Sequence, residues 1–382
     1  MKKIILISFS MLTFFAARSQ EYNKQSLDSI SLQPEQKKSS HTGFLLTGYG
    51  NTSFISDKNS NTFGDLGFSP IFLWRPNQHF FFESELEMEY EDGQLKLNLE
   101  YANINCILNK YVTFRFGRFL SPFGTFQNFY HPSWINKLPI TPLGFGHDGL
   151  GPGSEIGAAL SGGFPIGSSK INYNIYVSNG PTLNLGIEER GEEGNLMYEN
   201  FSDNNKNKAV GGRIGLLPFL NSSIELGTSF QSAKVGDAGS EYENVKAMLY
   251  AFDFNYVKQL DFLKGTVDVK AQWNFVNVGN ANYIDHDDST GQTTYTYNNK
   301  RDVYYAQFAY RPTMLLNKVL KNFEAVIRYS ALNLPEYAKE NEDVTQLIFS
   351  LNYWANYRTV VKAAYNPDKN LPQFWFQVAM GF

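Results

Sequence analysis

Glutamate occupies every second position from Glu83 to Glu89, interleaved with Ser84, Leu86 and Met88. Side chains two residues apart lie on one face of an extended strand, so Glu83, Glu85, Glu87 and Glu89 make one column of carboxylates. Set against arginines in a wet passage, such a column selects ions and orients polar solutes. Neutralised by its neighbours, it only solvates a polar wall. Arg115, Arg118 and Arg213 are the cations read as facing it across a constriction. A second group is aromatic. Phe126, Phe129, Tyr130 and Trp134 crowd one stretch and offer flat faces on which sugar rings could stack, beside the plainer role of packing.

Bond-making chemistry has less to stand on. His147 precedes Asp148, but no motif places a serine beside them, and neither a GxSxG nor an HExxH pattern occurs. The run DHDD at 285–288 contains three acids and His286 and suits a divalent cation in type. Four adjacent residues seldom aim enough oxygens at one hard ion, so it reads as a solvated acidic loop. No catalytic residue, metal site or cofactor is assigned, and an enzyme is not expected. The single Cys106 excludes an intrachain disulfide.

Elements that hold such a column must be strands. Phe80, Phe82, Leu86, Met88 and Tyr90 oppose the glutamates. Leu95, Leu97, Leu99 and Tyr101 alternate with Lys96, Asn98 and Glu100. Val267, Val269, Ala271, Trp273 and Phe275 alternate with Asp268, Lys270, Gln272 and Asn274, and Phe323 to Tyr329 repeats the pattern. Strands are expected at 43–55, 65–75, 79–90, 95–107, 111–119, 153–164, 170–179, 208–218, 222–233, 245–257, 264–277, 301–311, 322–331, 343–354, 357–366 and 372–382. Short turns alternate with longer polar loops, the pattern of an outer-membrane barrel, and an even strand count returns both termini to the periplasm. Backbone groups in lipid must all be paired, so the sheet is expected to close. Inward cations would then include Lys96, Arg115, Arg213, Lys270, Arg328, Arg358 and Lys362. Inward acids would include Glu100, Glu225, Asp253, Asp268 and Glu324 beside the four of the column.

One interval breaks the rhythm. Gly117 to Glu155 is far longer than a hairpin loop, and rich in aromatics and prolines that disordered segments avoid. It is expected to fold into the barrel after the fifth strand as a constriction loop. Carrying few charges, it would set the aperture by shape and leave selectivity to the opposite wall.

The ends carry an address. Lys2 and Lys3, the apolar run Ile4 to Phe15, and small Ala17 and Ser19 form a secretory signal peptide over 1–19. Its removal takes away Lys2, Lys3 and Arg18 and turns the formal charge of −4 into −7, which gives no case for nucleic-acid binding. Residues 20–42 are polar and aperiodic and read as a flexible periplasmic segment, with the barrel over 43–382. An aromatic content of 16% beside a negative mean hydropathy suits a chain whose apolar face is diluted by a polar lumen face. At the other end Phe374, Phe376, Val378, Met380 and terminal Phe382 share one face, resembling the signal read by the barrel assembly machinery.

Several motifs together resemble the phosphate-selective porin family. They are GRFLSPFGTF (117–126), SEIGAALSGG (154–163), YVSNGP (176–181), GGRIGLLP (211–218), RYSALNL (328–334) and LNYWANYRTVVKAAYNP (351–367). The resemblance implies an outer-membrane porin with an inward loop, commonly assembled as a homotrimer. The family's arginine ladder and lysine cluster are not clearly reproduced. The expectation is therefore an all-β, antiparallel transmembrane barrel of about sixteen strands. It would pass small hydrophilic solutes or ions passively, phosphate among them, in contact with outer-membrane lipid. The alternative is a non-conducting barrel serving as an adhesin or as a subunit of a secretion or uptake assembly.

Overall fold

The computed structural model describes residues 43–91, 93–146, 149–186, 192–198, 201–284, 294–335 and 343–382. The signal peptide, residues 20–42, His147, Asp148 and the DHDD run lie outside these ranges.

Among the described residues twenty strands form in chain order. They are β1 (Gly43–Ser56), β2 (Asn61–Arg75), β3 (Phe80–Glu91), β4 (Gln94–Asn109), β5 (Val112–Leu120), β6 (Ser154–Ile166) and β7 (Ser169–Ser178). Two-residue β8 (Thr182–Leu183) and β9 (Leu196–Met197) follow, then β10 (Ala209–Leu217), β11 (Ile224–Lys234), β12 (Lys246–Leu260) and β13 (Gly265–Val278). After the short β14 (Tyr283–Ile284) and β15 (Thr294–Tyr295) come β16 (Lys300–Arg311), β17 (Phe323–Asn333), β18 (Val344–Trp354), β19 (Thr359–Asn366) and β20 (Gln373–Gly381). The four short strands make two separate ribbons. The other sixteen close into one antiparallel barrel, as the alternation predicts. β1 pairs with β2 on one side and β20 on the other, and terminal Phe382 exchanges backbone hydrogen bonds with Gly48. The closed barrel has no open edge of its own.

Burial follows parity. On β13, Gln272 and Asn274 are buried while Trp273 is exposed; on β17, Glu324, Val326 and Arg328 are buried while Ala325, Ile327 and Tyr329 face outward. The outward rows carry Phe68, Leu97, Phe116, Ile175, Ile214, Phe252 and Phe376. The barrel is thus inside out: its apolar face points away and its polar face is enclosed, which suits lipid outside and water within. Among the described residues no helix is long and apolar enough to cross a membrane.

Three expectations need correction. The second strand starts at Asn61, not 65, because Asp57 accepts the amides of Asn59 and Ser60 at 2.7 Å and tightens the preceding turn. Arg358 is not on the wall. It lies in the turn between β18 and β19, where Asn356 Oδ1 accepts its amide. Tyr101 does not share the face of Leu95, Leu97 and Leu99. Glu85 pairs with Tyr101 but Leu86 pairs with Leu99, so Glu100 is an extra residue. That bulge turns both Glu100 and Tyr101 inward, where they are buried.

Candidate functional site

Residues 121–153 leave at the end of β5 and return at the start of β6, and the neck is closed by the Ser121 amide donating to Gly153 O at 2.9 Å. From there the segment crosses to distant strands. Gly124 N donates to Ser229 Oγ (3.0 Å), and the amides of Thr125 and Phe126 converge on Gln272 Oε1 at 2.8 and 2.9 Å. Gly124 has a left-handed φ of 68°, and a Cβ there would overlap the Gln272 amide, so only glycine fits. A single π-helical turn over Phe126–Tyr130 brings the Tyr130 hydroxyl to Asn255 Oδ1 at 3.0 Å.

Wall side chains then grip the return path. Lys362 Nζ donates to Ser133 O (2.6 Å) and Leu138 O (3.3 Å), and Asn352 Nδ2 to Lys137 O (2.8 Å). Arg328 Nη2 donates to Ile140 O and Thr141 O at 3.0 and 2.8 Å, and Asn274 Nδ2 to Leu150 O at 3.0 Å. These groups sit on the inward parity of β11, β12, β13, β17, β18 and β19. The segment therefore lies inside the barrel against the arc from β11 to β20, with His131 Nε2 reaching within 4.0 Å of Glu85 on β3.

Three groups of paired charges lie inside, among the described residues, beside Arg328 and Lys362. On β3 to β5, Arg115 Nη2 lies 3.6 Å from Glu83 Oε1, and Arg115 Nε donates to Asn105 Oδ1 at 2.9 Å. Glu85 accepts the Tyr49 hydroxyl at 2.6 Å, and Glu89 is the register partner of Lys96. On β10 to β12, Arg213 is 3% exposed and forks onto Asp253, with Nε to Oδ2 at 2.9 Å and Nη2 to Oδ1 at 2.6 Å. Its Nη2 also meets Glu225 at 2.9 Å. Gly227 leaves the room, since a Cβ there would overlap both Asp253 and Arg213. Under the inward segment, Lys137 pairs with Glu324 and with Asp268 (3.3 Å), Asp268 pairs with Lys270, and Trp354 Nε1 donates to Glu324 at 3.0 Å. Burial opposes the charge on Lys137, but those carboxylates outweigh it and hold the ammonium above its ordinary value.

Of the three expected arginines, Arg115 meets the glutamate column, at Glu83. Arg118 shares its register rows with Ala102 and Ile156, on the parity of exposed Phe116. Its guanidinium lies 4.6 Å over the Phe201 ring and donates to Glu100 O, at the rim and not across an aperture. Arg213 answers Asp253 and Glu225, because those are its neighbours two strands along the same wall. Phe126 (3% exposed) and Tyr130 (6%) are buried against Tyr305, so the stacking surface expected of them is closed. Trp134 packs over Gly381 at the seam. At the chain end Phe376, Met380 and Phe382 face outward, and Val378 is half-buried in the same row. Sequence reasoning missed His131 and the partners of Lys137. Both sit in a segment without periodicity, so nothing local says which wall they meet. Among the described residues no three His, Cys, Asp or Glu side chains are grouped to hold a metal.

No family model and no curated sequence matches the chain. Solved structures do. A Salmonella typhi OmpF complex with daunomycin aligns with a TM-score of 0.55 at 10% identity, over 89% of this chain and 97% of that one. The outer-membrane channel DcaP of Acinetobacter baumannii aligns at 0.52 and 12% identity, over 92% and 100%. An anion-selective porin from Comamonas acidovorans aligns at 0.52 and 12% identity, over 89% and 100%. The fold is that of a porin barrel. At these identities the likeness is one of architecture.

Proposed function

We propose that this chain is an outer-membrane porin, carried there by the signal peptide over 1–19, that lets small hydrophilic solutes diffuse through its lumen. The observation that carries this reading is the lodging of the segment after β5 inside the lumen, hydrogen-bonded by its main chain to β11, β13, β17, β18 and β19. It lies against the arc from β11 to β20, and it meets the facing arc through His131 beside Glu85 and through Trp134 packed against Tyr49, Ile71 and Tyr101. That leaves the half-buried Glu83, Glu89 and Arg115 on the inward face of β3 to β5 as the wetted wall, with Glu85 and Glu87 buried behind them. There the segment is the constriction and Glu83, Glu85, Glu87, Glu89 and Arg115 are the selecting groups. Acids outnumber the cation, so the wall favours cations and polar solutes over phosphate. Phosphate selectivity rests on motif resemblance alone. Homotrimer assembly and use of Phe376, Val378, Met380 and Phe382 as an assembly signal extend the same reading.

A non-conducting barrel is the second reading. Leu183, Leu196, Tyr283 and Tyr297 of the loops pack on inward Ala209, Ala247, Leu249 and Val276, which closes part of the loop-side mouth. Planar-bilayer recording separates the two. Stable open steps are expected, with a reversal potential in asymmetric KCl that moves toward anions when the four column glutamates become glutamines. Folded protein that stays silent overturns the channel reading.

A further inference from the structure

Arg328, inward on β17, is more deeply enclosed than Arg213, at 1% exposed, and its surroundings differ. Arg213 directs its fork at Asp253 and Glu225. Among the described residues no carboxylate lies within ion-pair reach of Arg328. Its Nη2 donates to Ile140 O and Thr141 O, main-chain carbonyls of the inward segment. Its Nε and Nη1 are buried without a hydrogen-bond partner. A carbonyl presents only a partial charge, so the guanidinium is held in place but not neutralised. Buried charges are ordinarily paired, because leaving water without a counter-charge is costly.

The neighbouring strand adds donors and a space. Gln307 of β16 is the register partner of Arg328, and Tyr305 stands diagonally beside it, opposite Ser330. Both are inward and buried, and the Tyr305 hydroxyl has no hydrogen-bond partner. Tyr305 and Gln307 line the wall side of a small cavity that Phe126, Ile135 and Asn136 of the inward segment cover. The centre of a water-sized body has about 10 Å³ to move in there, which suits one monatomic occupant and is too little for phosphate. Charge decides which occupant. Lys137 and Lys270 also line the cavity, with their ammoniums already on Asp268 and Glu324. Arg328 is the further cation beside them, and Lys362, two strands on, binds the neutral oxygens of Ser133, Leu138 and Gln377. Unpaired donors in a positive surrounding call for an acceptor that carries negative charge.

We infer that Arg328, Gln307 and Tyr305 hold a chloride ion between the inward segment and the wall at β16 and β17. The ion accepts from the guanidinium, the amide and the phenol, and supplies the counter-charge that Arg328 lacks. Because the same guanidinium holds Ile140 O and Thr141 O, an occupied site fastens the return path of the inward segment. The site does not depend on whether the lumen conducts.

Bromide is the probe, since it takes the place of chloride and scatters anomalously at its absorption edge. Crystals of the protein grown from detergent in sodium bromide are expected to show an anomalous peak within hydrogen-bonding reach of Arg328, Gln307 and Tyr305. Arg328→Met is expected to abolish it. Gln307→Leu and Tyr305→Phe each remove one donor and keep the arginine; each is expected to lower the peak severalfold, and they serve alone should Arg328→Met not fold. In solution, exchanging gluconate for chloride at constant ionic strength is expected to raise the wild-type unfolding midpoint saturably and to leave that of Arg328→Met unmoved. Lys58→Met, in an exposed turn, is expected to keep the wild-type shift. The proposal is overturned by density at the site without anomalous signal, which marks an ordered water only. It is also overturned by a peak of equal height in wild type, Gln307→Leu and Tyr305→Phe, or by a chloride shift that Arg328→Met retains.

Discussion

At the scale of single residues, Arg115 and Arg213 differ in kind although both were expected to face the glutamate column across a constriction. Arg213 is a buried fork between two carboxylates, and removing it strands Asp253 and Glu225 inside the wall. Arg213→Ala is therefore expected to cost about 3–5 kcal/mol, the loss typical of a broken buried pair. Arg115 faces Glu83 at 3.6 Å with a quarter of its side chain open to solvent, so Arg115→Ala should cost no more than about 1 kcal/mol. Urea unfolding from lipid vesicles measures both, and equal losses would show that burial does not set the difference. Gly227→Ala tests the same fork from the other side. Its methyl overlaps Asp253 and Arg213, so a destabilisation comparable to Arg213→Ala is expected.

At the scale of elements, the inward segment is held at both sides of the lumen by different forces. Lys362 fixes it to the late strands through Ser133 O, Leu138 O and Gln377 Oε1. Lys362→Met should free the segment and raise open-channel current noise, whereas Lys58→Met in an exposed turn should not. The contact to the early strands joins the packing of Trp134 on Tyr49, Ile71 and Tyr101 to an electrostatic tie at His131. Burial disfavours protonated His131, but Glu85, with Glu100 and Glu87 behind it, outweighs that and raises its pKa. The tie is thus complete below the ordinary histidine value and is lost as pH rises through the raised one. Noise should grow with pH over that window in wild type, and His131→Phe should be noisy and flat; a flat wild type refutes the tie. The strands were legible in the sequence because one lipid-facing parity imposes period two on each of them. The bulge at Glu100 was not, since an extra residue shows only against its partner strand. The placement of Phe126, Tyr130 and Lys137 was hidden for a related reason. Their partners Tyr305, Asn255 and Glu324 are more than a hundred residues away, and no periodicity links them.

At the scale of the whole molecule, the barrel reverses the usual arrangement of inside and outside, and neighbouring positions should report it. Ile214, beside Arg213, points outward near the middle of β10. Ile214→Arg should cost about 2–4 kcal/mol in lipid, the range for a cation on the midplane face, while in mild detergent the penalty should shrink. Closure rests on the chain end. Phe382 bonds Gly48 through its backbone and stacks on Phe68 at 5.7 Å, so deleting it should slow assembly into vesicles without changing the strand content of what does assemble. The manner of gripping the inward segment has a wider consequence. Lys362, Arg328, Asn352, Gln272, Ser229 and Asn274 all bind its main chain, leaving the identity of most of its side chains unread by the anchors. Mutational drift can then reshape the aperture while the hold persists. A substitution library over 132–145 with the wall constant should retain mostly folded barrels, and the same library over the six wall positions should not.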